Sequence, residues 1–292
     1  MTTETKLVRF DFALKNVLRE KANFDVLEGF LSAIFGDEEI SVVEILENQS
    51  NQLDFDKKFN RIDMLVKDSR ERHILVEIQN HLETGYLERI FLGVCKPIVD
   101  NFELGENYRN ISKVISISIL YFNFGLGEDD DYVYQGTTDF YGLHTHKPFT
   151  FQRTRNKIFE TLRTKDIFPE FYLIHVEHFK DVVATELDEW IYMLKHSAIR
   201  ADFKAKNIKQ AGEKLTMLNM GKEERQHYEK YLKDMVVEQD VLETARTEGL
   251  QQGEMKAKLE IAQKMLSKGL DVETIVTLTS LSPDVIERGR VD

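Results

Sequence analysis

Arg61-Ile-Asp-Met-Leu-Val66, Lys67-Asp-Ser-Arg-Glu-Arg72 and His73-Ile-Leu-Val-Glu-Ile-Gln79 form the stretch on which the fold turns. The outer two segments alternate in character along the chain, and the middle one is polar and densely charged. That is the pattern of two short strands joined by a turn. With a period of two, Ile62, Met64 and Val66 share a face with Ile74, Val76 and Ile78, so one side of the hairpin is wholly aliphatic. The other side carries Asp63, Glu77 and Gln79, with Leu65 and Leu75 between them and the turn. In an antiparallel pair, facing residue numbers sum to a constant. If Leu65 faces Leu75, Asp63 faces Glu77. Two like charges directly opposite destabilise a sheet. A divalent cation between them reverses the sign, because carboxylate oxygens are preferred ligands of Mg2+. The alternative reading is a pair of carboxylates solvated on an exposed face.

An Asp followed a strand's length later by Glu-x-Gln resembles the core of the PD-(D/E)XK nuclease superfamily, where the second motif is usually Glu-x-Lys. The chain is most similar to the Rpn-type recombination-promoting nucleases, the PD-(D/E)XK nuclease-family transposases. There the last position is commonly Gln, within a string like Val76-Glu77-Ile78-Gln79. Phe12-Ala-Leu-Lys15 resembles the family's amino-terminal signature, with Leu14 where Phe is usual. Gly105-Glu-Asn-Tyr108 followed by a strand, and an Ala-x-x-Met-Leu-x-x-Gly-like segment near the end, extend the likeness over nearly the whole chain.

Composition sets the frame. A chain of 292 residues, 42% hydrophobic and 31% charged, has room for one or two domains and a sizeable core. The single cysteine, Cys95, excludes an internal disulfide framework and fits a reducing cytoplasm. It falls in an apolar helical pattern and reads as a core residue. No signal-peptide pattern opens the sequence, and no apolar run approaches the roughly 18 residues that span a bilayer. The expectation is a cytoplasmic protein without a membrane partner. A net charge of −12 is unusual for a protein that binds nucleic acid. The local exception lies between residues 195 and 214, where Lys195, Arg200, Lys204, Lys206, Lys209 and Lys214 face only Asp202 and Glu213. This run is either a basic face or an ordinary solvated helical surface.

In chain order, helices are expected at 10–21 and at 24–35, the second with Asn23 as N-cap and Gly36 as its stop. An extended segment from Ile40 to Leu46 follows, with Glu44 and Glu47 as candidate additional acids. After Gln79, Leu87, Ile90, Phe91, Val94 and Ile98 repeat at helical spacing, with a kink expected at Pro97. The apolar run Val114–Phe122 is the strongest strand, so strand, helix and strand form a right-handed crossover. Residues 132–151 are rich in aromatics and read as a small β excursion, packing into the core or stacking on single-stranded bases with Arg153 and Arg155. Residues 171–177 form a further strand. His144, His146, His175 and His178 lack cysteine partners and lie in different elements, which argues against zinc. From 187 onward the pattern is helical, with a charged stretch over 222–268 broken or loosened at Gly249 and Gly253. The last segments, capped by Asp271 and by Ser282-Pro283, resemble a helix-turn-helix. Its turn is Thr279-Ser-Leu281, where the family has Thr-Gly-Leu.

The fold expected is α/β: a restriction-endonuclease-like mixed sheet flanked by helices over residues 1–200. A helical carboxy-terminal region follows over 201–292, helix-turn-helix-like at 258–290. The resemblance implies a metal-dependent DNA endonuclease using Mg2+ (or Mn2+). Asp63, Glu77 and the backbone carbonyl of Ile78 would hold the ion. Gln79, which cannot act as a cation, would orient water through its amide. Lys15, Lys57 or Lys58 would supply the missing positive charge. The alternative is a degenerate nuclease fold acting as a DNA-binding or assembly protein. A homodimer through the helical carboxy-terminal region is compatible with either.

Overall fold

The computed structural model of the chain describes residues 7–36, 39–46, 64–100, 107–155 and 158–288. The chain divides into two compact units, residues 1–220 and 221–292. The expected boundary near residue 200 falls inside the first unit, where Ile208 and Ala211 of a helix at Ile208–Lys214 are fully buried.

The first unit is built on a six-stranded mixed sheet. Its strands are β1 (Val42–Ile45), β2 (Met64–Asp68), β3 (His73–Gln79), β4 (Val114–Leu120), β5 (Val133–Thr137) and β8 (Glu170–His175), in the order β1-β2-β3-β4-β8-β5. The first three form an antiparallel meander. β3, β4 and β8 are parallel, and β5 closes the far edge antiparallel to β8. Strands β6 (Thr150–Arg155) and β7 (Ile158–Arg163) form a separate two-stranded ribbon.

The β2–β3 turn sets the register. Asp68, 1% exposed, accepts hydrogen bonds on Oδ1 from the backbone N–H groups of Arg70 (2.9 Å) and Arg72 (2.8 Å). Its Oδ2 takes the Arg72 guanidinium at 2.7 and 2.6 Å. Arg72 in turn lies 5.5 Å from the centre of the Phe35 ring. This closes the turn at a fixed length, with Glu71 in the left-handed region at φ 63°. Leu65 then faces Leu75 and Met64 faces Val76, the register read from the sequence.

Both sheet faces are covered. On one, Leu65 and Leu75 pack with Val114 and with Val94 of α3 (Tyr86–Asp100), the crossover helix between β3 and β4. On the other, Val66, Ile74, Val76, Ile117 and Ile119 have no exposed surface. Helices α1 (Phe10–Asn16), α2 (Phe24–Ile34), α4 (Glu186–His196) and α5 (Ile208–Lys214) belong to the same unit. Phe30 of α2 meets Phe10 at 5.2 Å and Trp190 at 5.8 Å. Gly29 permits the close approach: a Cβ there would lie 2.4 Å from the Lys206 carbonyl oxygen and 2.8 Å from the Trp190 ring.

Several local expectations are corrected. The first helix ends at Asn16 rather than 21. Asn23 precedes α2 without capping it, because its amide donates to the Val17 carbonyl at 2.9 Å. α3 continues through Pro97, and β4 ends at Leu120. The aromatics of the β excursion are largely outside the core: Tyr134, Phe140, Tyr141 and Phe149 are all exposed. Most of the basic run at 195–214 is paired. Lys195 contacts Asp181, Arg200 Asp202, Lys206 Glu39, and Lys214 Asp25.

The second unit begins with α6 (Lys222–Ser267), 46 residues long, which runs unbroken through Gly249 and Gly253. A helix-interior glycine costs about 1 kcal/mol, too little to interrupt so long a run of helix formers. Its last turns pack with α7 (Val272–Thr279) and α8 (Pro283–Arg288) around Ala262, Ile275, Leu281 and Ile286. Asp271 caps α7 by accepting from the Thr274 N–H at 2.9 Å. The turn lacking the family glycine is made by Ser280 in the left-handed region, φ 57°. Among the described residues, no helix is long and apolar enough to cross a membrane.

Removing the Asp68 carboxylate deletes a buried acceptor of two backbone N–H groups and of a largely buried guanidinium. Asp68→Ala is therefore expected to cost about 3 kcal/mol of unfolding free energy, measured by urea titration, since breaking one side of a buried pair is worth 3–5.

Candidate functional site

The carboxyl ends of β3, β4 and β8 point the same way, and ligands of open α/β sheets bind beyond such ends. Alternation places Leu75, Glu77 and Gln79 of β3 on the face covered by α3. The parallel register puts Ser118 beside Glu77 and Leu120 beside Gln79, and His175 of β8 beside Leu120. The end of the sheet thus presents a short polar strip above an aliphatic floor.

Arg89, in the first turn of α3, organises this strip. Its Nη1 lies 2.6 Å from Glu77 Oε1. Its Nη2 donates to Gln79 Oε1 at 3.3 Å, and its Nε lies 3.5 Å from Glu83 Oε2. The guanidinium rests over the Tyr86 ring at 5.0 Å from the centroid. Gln79, 9% exposed, donates from Nε2 to the His81 carbonyl at 3.0 Å and to Glu83 Oε1 at 2.9 Å. Its amide oxygen and both its amide hydrogens are therefore engaged by neighbouring protein groups. The Ile78 side chain is buried on the opposite face, so only its backbone belongs to this level of the sheet.

The oxygens of Glu77 and Gln79 are hard donors of the kind that Mg2+ or Mn2+ takes. Ser118 strengthens the polar character. Its Oγ is buried beside Glu77 with no hydrogen-bond partner among the described residues, and such an atom normally holds a water or a ligand group. Asp63, Lys57, Lys58 and Glu47 lie outside the described residues. Among the described residues, no three of His, Cys, Asp or Glu gather into a metal-sized cluster. Glu44 lies in β1 aligned with Lys67, which pairs with His73. That is four residues from Glu77 along the strand, about 13 Å at the usual rise. Lys15 is exposed in the last turn of α1.

Arg89 is the residue that sequence reading missed. The signal was faint: an arginine three residues after Tyr86, on the same side of the helix, ten residues beyond Gln79. A pattern search for apolar spacing passes over it. In the sequence, His175 stands out only by its spacing to His178. It is 3% exposed, with Phe124 and Tyr134 around it at 6.4 and 5.9 Å between centroids.

Residues 8–245 match the family described as PD-(D/E)XK nuclease family transposase. Residues 255–288 match the carboxy-terminal HTH domain of the Rpn/YhgA-like nuclease family. No curated protein and no solved structure matches the chain.

Burial pushes the pKa of His175 below its ordinary value, and a hydrogen bond to the Phe122 backbone only partly opposes this. His73 shifts the same way through burial, assisted by Lys67. Below about pH 6.5 the unfolded chain then binds more protons than the folded one. Stability is accordingly complete above that pH and declines as it falls. Urea midpoints at pH 7.5, 6.5 and 5.5 are expected to drop in the last interval, above the main carboxylate range. His175→Gln should lessen that drop.

Proposed function

The chain belongs to the PD-(D/E)XK nuclease family transposases, and on that premise we propose that it is a metal-dependent deoxyribonuclease hydrolysing phosphodiester bonds. The observation that carries this reading is a half-buried carboxylate, Glu77, and an arginine set together at the carboxyl end of the central strands. The register supports the second acid: the pairs run 67 with 73, 66 with 74, 65 with 75 and 64 with 76. The next pair in that number series is 63 with 77, and we assign Asp63 and Glu77 as the metal ligands with the Ile78 carbonyl.

A bound Mg2+ or Mn2+ supplies Lewis acidity at the scissile phosphate and a water of lowered pKa. The remaining work belongs to the chain. Gln79 cannot carry the charge that Lys supplies in most of the superfamily. Arg89 does so in this reading, held against the site by Gln79 and Glu83 and presenting a planar fork suited to a phosphate. Gln79 is then a positioning residue for Arg89, its amide hydrogens being taken by His81 and Glu83 rather than by water. Lys15 is a second cation whose removal tests the alternative. The HTH match at residues 255–288 supports DNA as partner. Exposed Val236, Val237, Val241 and Leu242 on α6 suit a homodimer through the carboxy-terminal helices.

A second reading is favoured by the same ion pair. Arg89 already neutralises Glu77, which would let a catalytically degenerate fold keep both groups and bind DNA through its HTH unit.

Plasmid cleavage in Mg2+ or Mn2+, with a chelator control, separates the two. Cleavage should need the metal and fall at least about 100-fold in Asp63→Ala, Glu77→Ala and Arg89→Ala, in line with losing one preorganised charge. Arg89→Ala should also bind Mn2+ more tightly without DNA, because the ion no longer competes with the guanidinium. Retained DNA binding with no cleavage in any metal selects the degenerate fold.

A further inference from the structure

The β6–β7 ribbon lies outside the main sheet and plays no part in the site above. Its pairing, Thr150 with Arg163 through Arg155 with Ile158, gives it two faces of different character. Phe151, Arg153, Glu160 and Leu162 share the inner face and are half-buried. Arg153 donates to the Arg109 carbonyl at 2.7 Å, and Phe149 stacks on Phe151 at 6.2 Å. Arg163 pairs with Asp139 and donates to the Tyr141 hydroxyl at 2.9 Å. These contacts fasten the ribbon to the body. The outer face is Thr150, Gln152 and Thr154 beside Arg163, Thr161 and Phe159; all but the half-buried Arg163 are exposed, with Phe159 at 77%.

Charge sets this segment apart. Residues 147–165 hold Lys147, Arg153, Arg155, Lys157, Arg163 and Lys165 against the single acid Glu160, in a chain of net charge −12. Exposed Arg109 stands beside the ribbon through the Arg153 bond. A two-stranded ribbon fits the major groove of B-DNA, and short hydroxyl and amide side chains on its outer face can meet base edges. Flanking lysines and arginines meet the phosphates.

We propose that the outer face of the β6–β7 ribbon is a duplex-DNA contact surface, entering the major groove with Gln152, Thr154, Thr161 and Phe159 while Lys147 and Lys165 bind phosphates. The proposal rests on DNA being the partner and extends it to a surface outside the family HTH match. Topology gives it a distinct location. β7 leads into the amino-terminal end of β8, and Arg109 precedes β4. The ribbon therefore stands at the opposite end of the central strands from Glu77 and Gln79. Seven-residue strands separate those ends by about 20 Å, or roughly six base pairs of duplex.

The test uses the full chain with two variants, Thr154→Glu/Thr161→Glu and Lys147→Ala/Lys165→Ala, and compares duplex affinity by fluorescence anisotropy over a salt series. The first variant should bind duplex at least about tenfold more weakly, because two carboxylates enter the groove face. The second should lower the slope of log affinity against log salt by about two, one per phosphate contact. Metal-dependent hydrolysis of bis(p-nitrophenyl) phosphate should be unchanged in both, since that chemistry lies at the other end of the sheet. Unchanged duplex affinity and slope in both variants overturn the proposal. So does an effect confined to single-stranded DNA, or a change only in the protein's own oligomeric state. A wild-type protein that cleaves nothing, yet loses duplex binding in these variants, overturns the nuclease reading and leaves the ribbon assignment standing.

Discussion

One carboxylate fixes the length of one turn, and much of the first unit depends on it. Asp68 binds two backbone N–H groups and a guanidinium within five residues, so β2 and β3 meet in a single register. Side-chain period in a strand is two, so a slip of one residue would move Glu77 and Gln79 to the other face. It would also turn Val76 and Ile74 out of the layer they fill completely. Hydrophobic burial on both faces and the polar turn therefore specify the same alignment. That agreement lets a polar strip persist at the end of an otherwise aliphatic sheet.

The hairpin was legible in the sequence because its signal is local. Alternation, the charged turn and the Leu65–Leu75 pair suffice to write the register, and the structure has the same one. The crossover helix and the buried β4 strand were legible for similar reasons. Arg89 was not, because its role depends on a six-residue loop returning the chain so that the first turn of α3 meets the strand it has just left. Spacing along the chain carries no record of that return. The aromatic segment 132–151 misleads for the opposite reason. Aromatic residues usually report a core, but Phe140, Tyr141 and Phe149 lie exposed in the connection that leads into β6. The basic run at 195–214 shows a third limit. Lys195, Lys206 and Lys214 pair with Asp181, Glu39 and Asp25, which lie outside the run, while Arg200 pairs with Asp202 within it.

The site is also a lesson in charge balance. A carboxylate at the end of a sheet, screened by α3 and its loop, cannot remain uncompensated. Here a guanidinium compensates it, at 2.6 Å, with an aromatic ring beneath. Replacing the superfamily's lysine by Gln79 removes one cation from the strand and adds an acceptor for another on the helix. On the proposed nuclease reading, Arg89 of the helix carries the positive charge that the strand no longer supplies. Substitution at a signature position is thus a weak guide unless the surrounding layer is examined for what answers it.

The acidic run Glu128–Asp131 lies in the connection from β4 to β5, whose first residue, Val133, pairs with Ile174 near the carboxyl end of β8. The basic ribbon lies at the other end of the same strands. The field along the sheet therefore carries contributions of opposite sign from these two segments, about one strand apart. A polyanion approaching at low ionic strength would be turned by that field before any contact formed, so orientation would be selected during the encounter rather than after it. Added salt should erode this guidance within a Debye length of about 10 Å while leaving the docked geometry unaltered.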